Sequence, residues 1–208
     1  MTAKLPELLL DKYMELKPVI NSRLKEYTQV AEKDYFYELC YCLMTPQTKA
    51  ESAFKVQIKL TAANLYNQPF NPSEILGDKA HYIRFHNAKS LAILQARDRF
   101  NDVLSILKSK NEAKAKRQWL DQTIKGIGMK ESSHFLRNIG YRGLAILDRH
   151  ILKHLVGCGV FNENPNISTE SRYLEVENKF QEFADSVRIT MDELDLLFWS
   201  YETGRILK

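Results

Sequence analysis

Three cysteines in 208 residues, Cys40, Cys42 and Cys158, are too few for a disulfide framework and cannot supply the thiolates of a four-cysteine iron–sulfur cluster. They read as reduced, buried thiols. Cys40 and Cys42, two apart, would point in different directions on a helix and make a poor metal pair, so no metal site and no cofactor is expected. Long apolar runs are missing too. Nothing approaches the roughly 20 residues a bilayer crossing needs, which leaves no membrane partner. The opening Met1-Thr2-Ala3-Lys4 leads directly into an amphipathic segment with no signal-peptide core, so a cytoplasmic protein is expected. Internal repeats, low-complexity tracts and convincing strand pairs are likewise absent.

What is present is core-forming material: 44% of the residues are hydrophobic and 27% charged, enough for one compact unit or two small lobes. The net charge of +4 suits a polyanionic partner without demanding one.

Residues 4–28 carry Leu5, Leu8, Leu9, Tyr13 and Leu16 at helical spacing, and Val19, Ile20 and Leu24 follow Pro18, which reads as one or two helices. In 31–44 the stripe Phe36, Leu39, Cys40, Leu43 faces a core, with Glu38 elsewhere. That helix stops at Thr45-Pro46, and a new one starts there and runs to about Tyr66, with Gln47 at its exposed mouth. Residues 67–72 form a loop. A long helix is expected over 87–107, with Ile93, Ala96, Phe100 and Leu104 on one face, and another over 113–124, anchored by Trp119 and Leu120. Phe135, Leu136 and Ile139 bury one side of a helix ending at Gly140. Asp148 reads as the N-cap of a helix starting at Arg149. The last two helices carry Tyr173, Val176, Phe180, Phe183 and Val187, then Leu194, Leu197, Phe198 and Tyr201, the second opened by a Thr190/Glu193 capping box. The fold class is all-α.

The chemistry concentrates in Lys125-Gly126-Ile127-Gly128-Met129-Lys130. A Gly-x-Gly turn between helices lets backbone N–H groups point outward, and a phosphate can settle there, helped by the dipole of the following helix and by Lys125. Taken alone, the motif is only a tight helix-to-helix connection. Lys130 lies off the apolar face of its helix, where the dipole disfavours a charged ammonium, and a neutral amine is what a nucleophile requires. An exposed first-turn lysine is more often merely solvated. Asp148, eighteen residues further on, has capping as its plain explanation, yet a carboxylate there could also stabilise positive charge developing on a sugar.

Two segments, Lys125 to Tyr141 and Ile146-Leu147-Asp148-Arg149-His150-Ile151-Leu152, resemble the helix-hairpin-helix DNA glycosylases, and within them the archaeal-type 8-oxoguanine DNA glycosylase/lyases. The ending from Leu194 to Lys208 fits that subfamily as well. The resemblance implies two helical lobes with the hairpin motif at the cleft, residues 1–30 plus 131–208 forming one and 31–130 the other. It implies duplex DNA containing 8-oxoguanine as partner, a monomeric enzyme, and a nucleophilic Lys130 that attacks C1′, expels the base and forms a Schiff base with the sugar before β-elimination. Asp148 would support the sugar cation. Lys125, Gly126, Gly128 and His150 would bind phosphate, and Trp199 and the terminal carboxylate of Lys208 would read the base. Gln47, Arg84, Phe85 and His86 are candidates for filling the vacated stack or meeting the opposite base. A non-enzymatic hairpin clamp and a glycosylase for another oxidised base are the competing readings.

Overall fold

The structure, a computed structural model, describes residues 3–206. Among them the regular elements are helical, with no strand: α1 (Glu7–Tyr27), α2 (Tyr35–Met44), α3 (Ala50–Ala62), α4 (Ser73–Gly77), α5 (His86–Asp98), α6 (Phe100–Lys108), α7 (Ala113–Thr123), α8 (Met129–Asn138), α9 (Arg149–Gly157), α10 (Glu170–Val187) and α11 (Met191–Thr203). None is long and apolar enough to cross a membrane. The helices fall into two compact units, residues 1–29 with 140–208, and residues 30–139. The return crossing therefore lies after Ile139, beyond the 130/131 division expected from the sequence, and α8 with Lys130 stays whole within the central unit.

In the central unit α2 is the core element. Every residue from Phe36 to Met44 is buried, Glu38 included. The sequence reading placed Glu38 elsewhere, but a helix that is apolar all round has no solvent face to offer it. Burial of its carboxylate is offset by Gln57 Nε2, which donates at 2.9 Å, and Asn138 Nδ2, which donates at 3.2 Å. The helix expected over 87–107 breaks at Arg99 (φ −98°, ψ 7°) into α5 and α6. The break rotates the apolar face, so Val103 and Leu107 are buried after Phe100, and Leu104 is not. α3 is also shorter than expected, starting at Ala50 without a side-chain cap.

Three cations close helix C-termini in this unit, where carbonyls lack partners. Lys89 Nζ donates to Met44 O at 2.7 Å, Lys116 Nζ to Leu107 O at 2.7 Å, and Arg99 Nη1 to Thr123 O at 3.2 Å. α7 is anchored accordingly by Leu120, Lys116 and Arg117, all buried, while Trp119 is only half-buried.

In the terminal unit α1 is continuous through Pro18. It packs on α11, and Tyr13 Oη donates to Glu193 Oε1 at 2.9 Å. α11 is buried nearly all round and also packs against α9 and α10. Its Thr190/Glu193 capping box is formed, whereas Tyr201, expected in the core stripe, is exposed. Cys40, Cys42 and Cys158 are all buried thiols.

Candidate functional site

The hairpin joins α7 to α8 within the central unit. Gly126 has φ +96°, a left-handed conformation that an L side chain resists, and a Cβ there would meet Ala92 Cβ at 3.1 Å and Leu43 Cδ2 at 3.2 Å. Gly128, by contrast, is extended at φ −110°, ψ −169°, a conformation open to any residue. Ile127 is buried between the two glycines, while Lys125 and Gly126 are exposed. The turn is thus pinned from inside by one isoleucine and presents Lys125 and Gly126 outward.

Lys130 is in the first turn of α8, with its side chain 34% exposed and its Nζ 2.8 Å from Glu131 Oε1. Sequence reasoning did not single out Glu131. Its other oxygen, Oε2, accepts the Gly128 N–H at 3.3 Å, so one carboxylate spans the helix N-terminus and the candidate nucleophile. The signal was available, since Glu131 occupies the third helical position, where Glu commonly turns back to the cap residue. A lysine amine attacks as the neutral form.

Lys89 was also missed. It is 9% exposed, and its Nζ donates to Met44 O, to Pro46 O at 2.6 Å and to Thr48 Oγ1 at 3.1 Å. Burial pulls its ammonium down to about 8, with Glu131 opposing that shift and Lys130 adding to it. Its sequence signal is a lysine four residues before Ile93 and seven before Ala96, on the buried stripe of α5.

Two nearby turns hold unusual backbone. Gln47 (φ +55°) and Phe85 (φ +60°) are non-glycine residues in the left-handed region, each conformation costing about 1–3 kcal/mol. Both side chains are exposed, Phe85 by 52%, and Arg84 lies over the Phe85 ring at 4.9 Å. His86 is set apart from this pair: its ring packs edge-on against Tyr82 at 5.6 Å, and an added Cβ on Gly77 would meet it at 3.2 Å.

In the terminal unit Asp148 caps α9, its Oδ1 accepting from His150 N at 2.8 Å and Ile151 N at 2.9 Å. In the buried run 144–147 that leads to it, backbone groups of Ala145 and Leu147 are satisfied by side chains, as burial requires. Ala145 N donates to Glu177 Oε1 at 2.8 Å, Leu147 N to Tyr173 Oη at 3.3 Å, and Tyr173 Oη to Ala145 O at 2.7 Å. Asp148 therefore stands at the end of a fixed segment. His150 Nδ1 is 3.7 Å from Glu202 Oε2, and the same carboxylate pairs with Lys153 at 2.8 Å and lies 3.0 Å from His154 Nε2. Lys153 holds the Glu202 carboxyl below its usual range.

Trp199 is half-buried on α11. Asp192 and Asp195, whose helix side it shares, are themselves buried. Lys208 lies outside the described residues. No group of His, Cys, Asp and Glu among the described residues could hold a metal ion.

An all-helical chain with a Gly-x-Gly hairpin opening a helix that carries a lysine in its first turn, and an aspartate-capped helix after it, has the parts of a helix-hairpin-helix DNA glycosylase. The family profile described as Ogg-HhH, 8-oxoguanine DNA glycosylase, matches residues 20–189, and the chain belongs to that family. It is 36% identical over 200 residues to the 8-oxoguanine DNA glycosylase/AP lyase of Methanocaldococcus jannaschii, covering 95% of each chain. It is 38% identical over 210 residues to the enzyme of the same name from Fusobacterium nucleatum, covering 94% of each. The solved structure of the M. jannaschii glycosylase/lyase in complex with 15mer DNA containing 8-oxoguanine matches with a TM-score of 0.83 at 34% identity, over 97% of this chain and 100% of that one.

Proposed function

We propose that this protein excises 8-oxoguanine from duplex DNA through Lys130 and then nicks the strand. The observation that carries the proposal is the position of Lys130 in the first turn of α8, directly after the hairpin, with a partly exposed amine held by Glu131 alone among the ion pairs of the described residues. After losing its proton, the amine attacks C1′ of the damaged nucleotide. The glycosidic C–N bond breaks, and the base leaves with the bonding electrons and takes up a proton. Opening of the sugar ring gives a protonated Schiff base. Loss of a C2′ proton then expels the 3′ phosphate by β-elimination, and water releases Lys130.

Asp148 supports the positive charge that builds on the sugar, a role its carboxylate can fill while capping α9. Lys125, Gly126 and Gly128, with His150, take phosphate oxygens, the Gly128 N–H exchanging its Glu131 partner for the phosphate. Trp199 and the Lys208 carboxylate read the extruded base, and Gln47 and Phe85, flanked by Arg84, occupy the space it leaves. One copy of the chain supplies every residue in this scheme, so a monomer acting on cytoplasmic DNA suffices.

Borohydride trapping on a duplex carrying 8-oxoguanine tests the scheme. The native protein should form a covalent adduct and Lys130→Gln should form none. An equal adduct with both proteins would reject Lys130 as the nucleophile, and no adduct with the native protein would favour a non-enzymatic clamp.

A further inference from the structure

We propose that Lys89 is a positioning residue for lesion capture: its buried ammonium locks the turns presenting Gln47 and Phe85 into one preset pair of probes. The inference rests on the reading that the protein extracts a base from duplex DNA.

The geometry is specific. Lysine carries three N–H donors, and Lys89 has three acceptors in reach: Met44 O, Pro46 O and Thr48 Oγ1. Two of these belong to the residues immediately before and after Gln47. Thr48 Oγ1 also accepts the Arg84 backbone N–H at 3.2 Å, which ties the residue before Phe85 to the same point. Both probes are left-handed and exposed. Strained conformations of this kind persist where surrounding structure over-determines them.

A purely structural reading makes Lys89 a plug for the C-terminus of α2, which Met44 O alone would satisfy. It leaves unexplained why the same ammonium reaches past the helix end to Pro46 and Thr48. A buried charge is also a costly plug, as the depression of its ammonium to about 8 attests. The charges of Glu131 and Lys130 on α8 both act on the Lys89 ammonium, in opposite directions. A wedge held rigid before contact spares the ordering cost on binding and keeps the vacated stack filled while the amine attacks.

The test is a mutant cycle on the full-length protein. Lys89→Met removes the brace, and the double variant Gln47→Ala/Phe85→Ala removes what it is held to position. On an 8-oxoguanine duplex, Lys89→Met should raise KM about tenfold or more, while trapping on a single-stranded abasic oligonucleotide, with no base to extrude and no stack to fill, should stay within about twofold of native. Adding Lys89→Met to the double variant should change KM by less than about twofold, because the brace then has nothing left to position.

Independent, multiplying effects would overturn the inference, as would an unchanged KM in Lys89→Met or an equal loss on the abasic strand. If Lys89→Met does not fold, Thr48→Val, which deletes the oxygen shared by the two turns, is run through the same cycle with the same expectations. A native protein inactive on the 8-oxoguanine duplex would overturn the functional reading and this inference with it, whereas an active native protein with an unaffected variant overturns this inference alone.

Discussion

Asp148 is asked to do two things, and one pair of substitutions separates them. Its Oδ1 accepts two backbone N–H groups at the start of α9, a task that an asparagine oxygen performs nearly as well. Its negative charge is what the proposed chemistry uses. Asp148→Asn is therefore expected to melt close to the native protein, while Asp148→Ala loses about 1 kcal/mol with the cap. Both should lower single-turnover excision by roughly 10²-fold or more, as removal of a group that stabilises transition-state charge does. Thermal melts alongside single-turnover assays check this. Near-native excision by Asp148→Asn would reduce the residue to a cap.

Lys130, Glu131 and Lys89 show the same division between what is readable residue by residue and what is not. Lys130 is visible because a lysine off the apolar face of a helix following Gly-x-Gly has no packing role to explain it. Glu131 could have been found from its position at the third residue of α8. Lys89 sits on a buried stripe, but only the folded chain shows three acceptors converging on its ammonium.

Among elements, the hairpin makes the sharpest prediction, because its two glycines are not equivalent. Gly126 needs both a left-handed backbone and the space between Ala92 and Leu43, and Gly128 needs neither. Gly126→Ala should destabilise the protein by about 1–3 kcal/mol and weaken DNA binding with it. Gly128→Ala should stay within about 1 kcal/mol of native, since its Cβ would meet only side-chain carboxylate oxygens at ordinary distance. Urea denaturation of the two variants decides the matter, and equal losses would contradict the asymmetry. Periodicity located most elements and failed at particular places. The division of 87–107 turns on one residue, Arg99, whose backbone leaves the helix while its guanidinium reaches Thr123 O, and nothing in the local pattern of apolar residues marks it.

For the whole molecule, a net charge of +4 becomes consequential if phosphates are the docking surface. With as few as two phosphates neutralised, raising monovalent salt from about 50 to about 200 mM should weaken duplex binding by about tenfold, and by more as contacts increase. Fluorescence anisotropy with an undamaged duplex measures this directly, and salt-insensitive binding would be incompatible with the proposed phosphate contacts. The two-unit organisation supplies a second whole-molecule fact. Residues 1–29 and 140–208 belong to one unit and 30–139 to the other, so Lys130 and Asp148 are carried by different units although Asp148 follows Lys130 by only eighteen positions.

The sequence by itself determined the helical class, the hairpin, the capped start of α9 and the capping box of α11, because each depends on contacts within a few residues of itself. Helical periodicity, glycine conformation and side-chain capping are local physics. Tertiary structure alone decided that Glu38 is buried, that Arg99 breaks a helix, and that the Lys89 ammonium reaches Met44 O, Pro46 O and Thr48 Oγ1. In each case the partner lies on another element, and a residue's environment is then set by what packs against it rather than by its neighbours in the chain.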